Sequence, residues 1–400
     1  MASSGPLAGI RILDTTSVLM GPVATGLLAD LGADVIKVEA PGGGDMTRYV
    51  GVSRHRGMSA HFIHANRGKR SIVIDLKQPD GLAAFRRLAA GADVVVTSMR
   101  RRAAARVGVD YAALAAENPR LLHVGLNGYG EGGPYADRPA YDDLIQAATG
   151  VPRLVERIGG GPRYIPLAIF DRAVGLMAAN AILAGLLARE RTGRGQSVEL
   201  AMFEIMAQMV LGDHMAGLTF DPPAGAAGYA RVLSTHRGPY ATADGHIAVL
   251  PYNEGHVRRF LAAAGRGDLL DDPRFADVVG RSVNVDALYA AFADIMRTRT
   301  TAEWLAILEK ADVPATALCT IEELLDDPHL AAVGFFVWQD QPGEGRIRVM
   351  APPGKWSGTP LAEPGPTPRL GENTAEILRE AGYAADEIAD LLARGAVADR

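Results

Sequence analysis

The sequence predicts an α/β fold: a large domain with a mostly parallel sheet, and a smaller α+β domain set into the chain. Three observations predict it. Short apolar strands alternate with helical segments through the first third of the chain, a pattern that favours parallel strands with helices on both faces. The composition then shifts at "DPPAGAAG" (221–228), a Pro- and Gly-rich hinge. Beyond Phe335 come strand-like pieces, a Pro-rich stretch (352–368) and a helix opening at "GENTAEIL".

The elements follow in order. "GIRILDTT" (9–16) reads as a strand, "ATGLLADLG" (24–32) as a helix and "ADVIKVEA" (33–40) as a second strand, which together make a βαβ unit. A loop is expected over 41–70. "SIVIDL" (71–76), "GLAAFRRLAA" (81–90), "DVVVTS" (93–98) and "LLHVGLN" (121–127) continue the alternation. A long helix of small and apolar residues then opens at Asp171, which its position reads as the N-cap, followed by a strand at "SVELA" (197–201) and an apolar segment over 202–218. A hairpin turning at Asp244-Gly245 is expected within 237–253, with helices near 254–265, 285–297 and 302–311. The expected domains are therefore 1–220 and 331–400 for the large one and 221–330 for the small one.

Composition narrows the function. The chain has 400 residues, 48% hydrophobic and 22% charged, an ordinary globular balance. A net charge of −5 argues against a general nucleic-acid binder. Cys319 is the only cysteine, which excludes a disulfide framework and a thiolate metal cluster and suits a reducing, cytoplasmic setting. The N-terminal residues have no basic-then-apolar export pattern, and the longest apolar run, Ala173 to Ala188, contains Asn180 and reads as a buried core helix with no role in a membrane.

Several chemistries fail on spacing. The first strand is followed by "SVLMGP" with one glycine, so a dinucleotide-binding G-x-G-x-x-G is missing, although Glu39 imitates the ribose-binding acid. There is no P-loop. His61 and His64 have no partner cluster and read as loop histidines, so no metal site is expected. What remains is a set of cations near strand ends, where open α/β sheets bind ligands. Lys77 follows one strand, Arg100 to Arg102 follow another, and Arg106 comes a turn later; three of the five lysines (37, 69, 77, 310, 355) lie between residues 37 and 77. Their clustering points to phosphate binding.

Five ordered blocks carry a resemblance: "VLMGPVATGLLADLGADVIKVEAPGGGDMTR", "NRGKRSIVIDLKQPDG", "GLNGYGEGGPYADRPAYDDLIQAATG", "FDRAVGLMAANAILAGLLARERTGRGQSVELAMFE" and "PTPRLGENTAEILREAGYAADEI". Together they resemble the family III CoA-transferases, which include formyl-CoA transferase and carnitine CoA-transferase. The resemblance implies a Rossmann-like large domain, an interlocked homodimer, and transfer of CoA between an acyl-CoA and a carboxylic acid with no permanently bound cofactor. It makes Asp171 the nucleophile, whose charge a helix N-terminus would suit. It places CoA along Leu19 and Met20, along Ile74, Asp75, Leu76 and Lys77, and along Ser98, Met99 and Arg100 with Arg106. It matches Tyr141 to an active-site tyrosine, and Gly225 and Gly228 of "AGAAG" to a mobile glycine run at the substrate pocket.

Two positions depart from the formyl-transferring members. Leu19 replaces a glutamine and Ala40 an arginine, and a leucine cannot hydrogen-bond a second carboxylate, which argues against oxalate and formyl-CoA. The α-methylacyl-CoA racemases of the same family carry a histidine where this chain has Tyr141. An ordinary tyrosine, with a pKa near ~10, is a poor base at neutral pH, so the transferase reading is preferred. An acyl-CoA-binding homologue without activity is the third reading, and the intact Asp171 argues against it.

Overall fold

The computed structural model describes residues 4–352 and 354–399, and the chain forms two compact units. The first comprises the chain up to Ala148, Pro166–Ala207 and the chain from Leu330 on; the second comprises Thr149–Ile165 and Gln208–His329. The second unit thus starts earlier than the Pro- and Gly-rich hinge at 221 and also takes up the short segment ahead of the long helix. The later boundary leaves no mark in composition, whereas the segment Thr149–Ile165 carries the run Gly159–Gly161 followed by Pro162, which the sequence reading passed over.

In the first unit, β1 (Arg11–Thr15), β2 (Asp34–Glu39), β3 (Arg70–Ile74), β4 (Val94–Thr97), β5 (Leu122–Asn127) and β6 (Gln196–Ala201) pair in parallel in the order 3-2-1-4-5-6. This is the doubly wound arrangement, whose order reverses between β1 and β4. A seventh strand, Val397–Ala398, adds antiparallel to β3, and the sequence had given no sign of it. Alternation builds both faces. Ile12, Val35, Val94, Val96 and Val124 meet helix α1 (Met20–Asp30) and the long helix Ile169–Thr192. Leu13, Ile36, Ile72, Ile74 and Val95 meet helix α2 (Pro79–Ala90) and the late helices Thr374–Glu380 and Ala385–Ala393. Each such fully buried side chain contributes about 1.5–3 kcal/mol. The chain from Leu330 on belongs to the first unit.

Several expectations change. The stretch 41–70 holds a helix, Ala60–Asn66, capped by the Ser59 hydroxyl, which accepts the Phe62 N–H at 3.1 Å, so His61 and His64 are helical. Glu39 binds no ribose: it is buried against Arg48 at 2.7 Å and accepts from Ser71. Lys37 and Lys69 are equally buried, paired with Asp45 at 2.9 Å and Asp14 at 3.0 Å, and neither can reach a phosphate. Asn373 precedes its helix but its carboxamide accepts from the Ser71 N–H at 3.0 Å instead of capping. The long helix is apolar and long enough to cross a membrane by composition alone, yet it is neither all buried nor all exposed. Val174, Ala178 and Ile182 are sealed in the core, while Leu176 and Leu187 are more than half exposed on the other face.

The second unit follows its pattern closely. Tyr240–Ala241 and His246–Val249 form the hairpin, its turn closed by the Thr242 N–H on the Gly245 carbonyl at 2.9 Å, and Ala315–Ala317 adds a third antiparallel strand. Glu254–Ala263 starts on Asn253, which accepts the His256 N–H at 2.8 Å, and Thr301–Lys310 starts on a Thr300/Glu303 capping box. With Val285–Met296 they enclose Phe260, Phe292 and Trp304.

Candidate active site

The loops after β1, β4 and β5 open at the reversal of strand order. Ser17 to Met20 follow β1, Ser98 and Arg100 follow β4, and Leu126 to Gly128 lie at the end of β5. With Arg138, Tyr141 and Asp171 they line one cavity of about 250 Å3. The long helix reaches this point because Gly175 lets its first turns lie against α1; a Cβ there would come within 2.9 Å of the Met20 carbonyl oxygen. Gly21 makes an even closer approach, since a Cβ would sit 2.2 Å from the Thr16 hydroxyl oxygen. Both glycines bring Leu19 and Met20 to the cavity wall.

The loop after β1 is held from below. Val18 adopts φ +70°, a conformation a β-branched residue strongly avoids. Its N–H donates to Asp45 at 3.2 Å, and Asp45 is anchored by Lys37, which also donates to the Thr16 carbonyl at 3.1 Å. Burial pushes the Asp45 carboxyl up, but Lys37 and two hydrogen bonds from Thr47 outweigh it and hold the pKa below the ordinary range. The buried cations are thus scaffolding for the loop.

Asp171 is not the N-cap. The helix begins at Ile169 after Ala168, so Asp171 is the third residue of its first turn. The cap is supplied from elsewhere. Asp142, 8% exposed at the start of the helix Asp142–Ala148, accepts the backbone N–H of Phe170 at 2.8 Å and of Asp171 at 2.9 Å on one oxygen, while its other oxygen accepts from Gln146 at 2.6 Å. Among the described residues no hydrogen bond is donated to the Asp171 carboxylate. Burial first, then the neighbouring negative charge of Asp142, push its pKa up to about 6, and Arg172 offsets this only in part. The expectation that helix N–H groups would hold Asp171 ionised is therefore overturned. The result is a carboxylate poorly solvated, still mostly ionised at neutral pH, and correspondingly eager to form a bond.

The other residues expected at the site divide. Leu19, Met20, Ser98, Arg100, Tyr141 and Asp171 line the cavity together. Ile74 is buried at the end of β3; Asp75, Leu76 and Lys77 follow it, with Lys77 exposed and Asp75 accepting the Lys77 N–H at 3.0 Å. Met99 is half-buried beside Arg100, and Arg106 is exposed on the helix Arg101–Val107; none of these six lines the cavity. Arg101 and Arg102 pair with Glu131 and Asp137, which leaves Arg100 as the cavity's cation on that strand end. Gly225 and Gly228 belong to the second unit. Asp142 and Arg138 were missed, although both lie in the block "ADRPAYDD"; a carboxylate a few residues ahead of a helix is a capping signal only for its own helix, so nothing local connects Asp142 to Phe170. Among the described residues no group of three His, Cys, Asp or Glu is placed to hold a metal.

A cavity at the switch point of a doubly wound sheet, whose lining holds a carboxylate of raised pKa together with Arg100 and Arg138, defines an α/β enzyme acting on an anionic ligand. Residues 7–374 match CoA-transferase family III, and the chain belongs to that family. It is 35% identical over 381 residues to a succinate–glutarate CoA-transferase of Agrobacterium fabrum, covering 94% of this chain and 95% of that protein. It is 33% identical over 397 residues to an acetyl-CoA:oxalate CoA-transferase of Acetobacter aceti, covering 96% and 97%. Among solved structures, a CAIB/BAIF family protein from Brucella suis superposes with a TM-score of 0.79 at 33% identity, covering 94% of this chain and all of that one.

Proposed function

We propose that this chain transfers CoA from an acyl-CoA donor to a carboxylic acid acceptor, with Asp171 as the covalent carrier. The Asp171 carboxylate attacks the thioester carbonyl; the carbon–sulfur bond breaks and CoA leaves as its thiolate. The thiolate attacks the aspartyl carbonyl of the mixed anhydride, releasing the donor acid and leaving an aspartyl-CoA thioester. The acceptor carboxylate displaces CoA from that carbonyl, and the thiolate then takes the acceptor's acyl group, restoring the free carboxylate. No proton need be moved and no permanently bound cofactor is required. The observation that carries this reading is the single unpaired carboxylate of raised pKa at the mouth of a cavity lined by Arg100 and Arg138. The names of the relatives, which span glutarate and oxalate transfer, support an acid acceptor. A cytoplasmic homodimer is part of the same proposal and rests on the resemblance described above.

The test separates transfer from proton abstraction. A racemase exchanges the α-hydrogen of its acyl-CoA with solvent and needs no second substrate. We expect a 2-methylacyl-CoA incubated with the enzyme in D2O to gain no deuterium, and an added acceptor acid to appear as its CoA ester. Deuterium uptake without acceptor overturns the transferase reading.

CoA placement gives a second prediction. If Lys77, Arg100 and Arg106 meet phosphates, each Ala variant raises KM for the donor more than it lowers kcat, because these contacts persist from ground state to transition state. Salt then weakens donor use more in wild type than in the variants. Equal salt dependence in all four proteins removes these residues from the CoA site.

A further inference from the structure

The second unit holds its own cavity, about 490 Å3, between its sheet and the helix Val285–Met296. Its size suits a small ligand. One side is apolar, formed by Val249, Leu250 and Pro314; the polar lining includes Arg237, Tyr240 and Tyr289, and no acidic side chain is among its lining residues. Both tyrosines are almost wholly buried, at 5% and 7% exposure. Arg231 donates its Nε–H to the Tyr289 hydroxyl at 2.9 Å, so that hydroxyl is already an acceptor and its own proton is free to donate. Among the described residues the Tyr240 hydroxyl has no hydrogen-bond partner, and neither Arg231 nor Arg237 forms an ion pair with a carboxylate. Asp286, the acid on the facing helix, is engaged by the Ser234 hydroxyl at 2.6 Å and by His236 at 3.9 Å.

Charge and burial are consistent with this picture. Burial, and then Tyr289, push the Tyr240 pKa up and keep the phenol protonated, while the positive charges of Arg237 and Arg231 oppose the shift. The Tyr240 hydroxyl keeps some exposure and Arg237 is an exposed side chain, so both are donors open to a ligand in a chamber whose lining holds no acid. A planar two-oxygen anion accepts from both. Phosphate fits less well, since it asks for donors on more sides than an apolar wall leaves open.

We propose that this cavity is a carboxylate site: Arg237 pairs with the anion, the Tyr240 and Tyr289 hydroxyls donate to its oxygens, and an aliphatic body rests against Val249, Leu250 and Pro314. The site is independent of the role of Asp171. Two sources offer this chemistry, a free acid and the distal carboxylate of an acyl-CoA.

Calorimetric titration of the full chain tests it with three probes: glutarate, glutaryl-CoA, and butyryl-CoA, which lacks the distal carboxylate. Arg237→Ala should raise Kd for glutarate, glutaryl-CoA or both at least tenfold while leaving butyryl-CoA within twofold. Tyr289→Phe should give a smaller loss, and Arg237→Lys should recover part of it. A response with free glutarate identifies the free acid as the ligand; a response confined to glutaryl-CoA identifies the acyl tail. Asp171→Asn should keep the same binding, so failure of the transfer chemistry and failure of this site are read separately. Unchanged affinities across wild type and variants, or no Arg237-dependent binding of either carboxylate, overturns the proposal.

Discussion

Asp171→Asn is expected to lower turnover by about 10³ or more and, at neutral pH, to raise thermal stability. The first effect follows from loss of the nucleophile with almost no change of shape. The second follows from the direction of the pKa shift. An acid whose folded pKa is about 6 against an ordinary 3.8 binds its proton more tightly in the folded state, so stability is lost as pH rises through that window. Above it, the ionised carboxylate costs the fold up to roughly 3 kcal/mol by linkage. Asn carries no such charge. The variant should therefore melt higher than wild type at pH 7.5 and no higher near pH 4, below the window where the penalty arises. Turnover within tenfold of wild type would remove Asp171 as the carrier. A lower melting point at pH 7.5 would show that the carboxylate is supported in some way its surroundings do not reveal.

The second large effect belongs to Asp142, and two variants separate its charge from its hydrogen bonds. Asp142→Asn keeps one oxygen to accept the Phe170 and Asp171 N–H groups, removes the negative charge, and gives up only the second oxygen, which accepts from the Gln146 amide. Activity that needs ionised Asp171 falls as pH drops through about 6; in Asp142→Asn this acid limb should move to lower pH. It should remain above the ordinary 3.8, because burial is the larger cause and is unchanged. Asp142→Ala removes the acceptor as well. Two helix N–H groups and the Gln146 amide lose a partner, at roughly 1–3 kcal/mol for each group left buried and unsatisfied, so the melting point falls. With the first turn free to shift, kcat should fall about 10- to 100-fold. An acid limb that stays at about 6 in Asp142→Asn would take Asp142 out of the account of Asp171's ionisation.

How much of this was legible in the sequence depends on whether the relevant interactions are local. The strands and helices of the βαβ run and of the second unit were readable because apolar period and capping residues are neighbours in sequence. Asp171 stood out by its place at a helix start, but its role there was misread, since the residue that caps the helix comes from Asp142, on another element. Lys37 and Lys69 looked like phosphate ligands because composition cannot tell a buried cation from an exposed one; their acids, Asp45 and Asp14, lie on other segments. Arg237, Tyr240 and Tyr289 converge only once a hairpin and a helix are packed together. The strand Val397–Ala398 is two residues long, too short for any periodicity.

That short strand also sets an order of events during synthesis. Ile74 leaves the ribosome long before its sheet partner Val397 has been made. Until then β3 has an open edge, and Ile72, Ile74, Phe85 and Leu88 lack the cover of Ile377, Leu378, Ile388 and Leu391. The stretch Gln208–His329, which includes most of the second unit and its own core, is complete well before the first unit can close. The nascent chain must therefore carry a half-covered apolar sheet until residues 374–398 have been made, the state in which chains are most open to aggregation and most in need of chaperones.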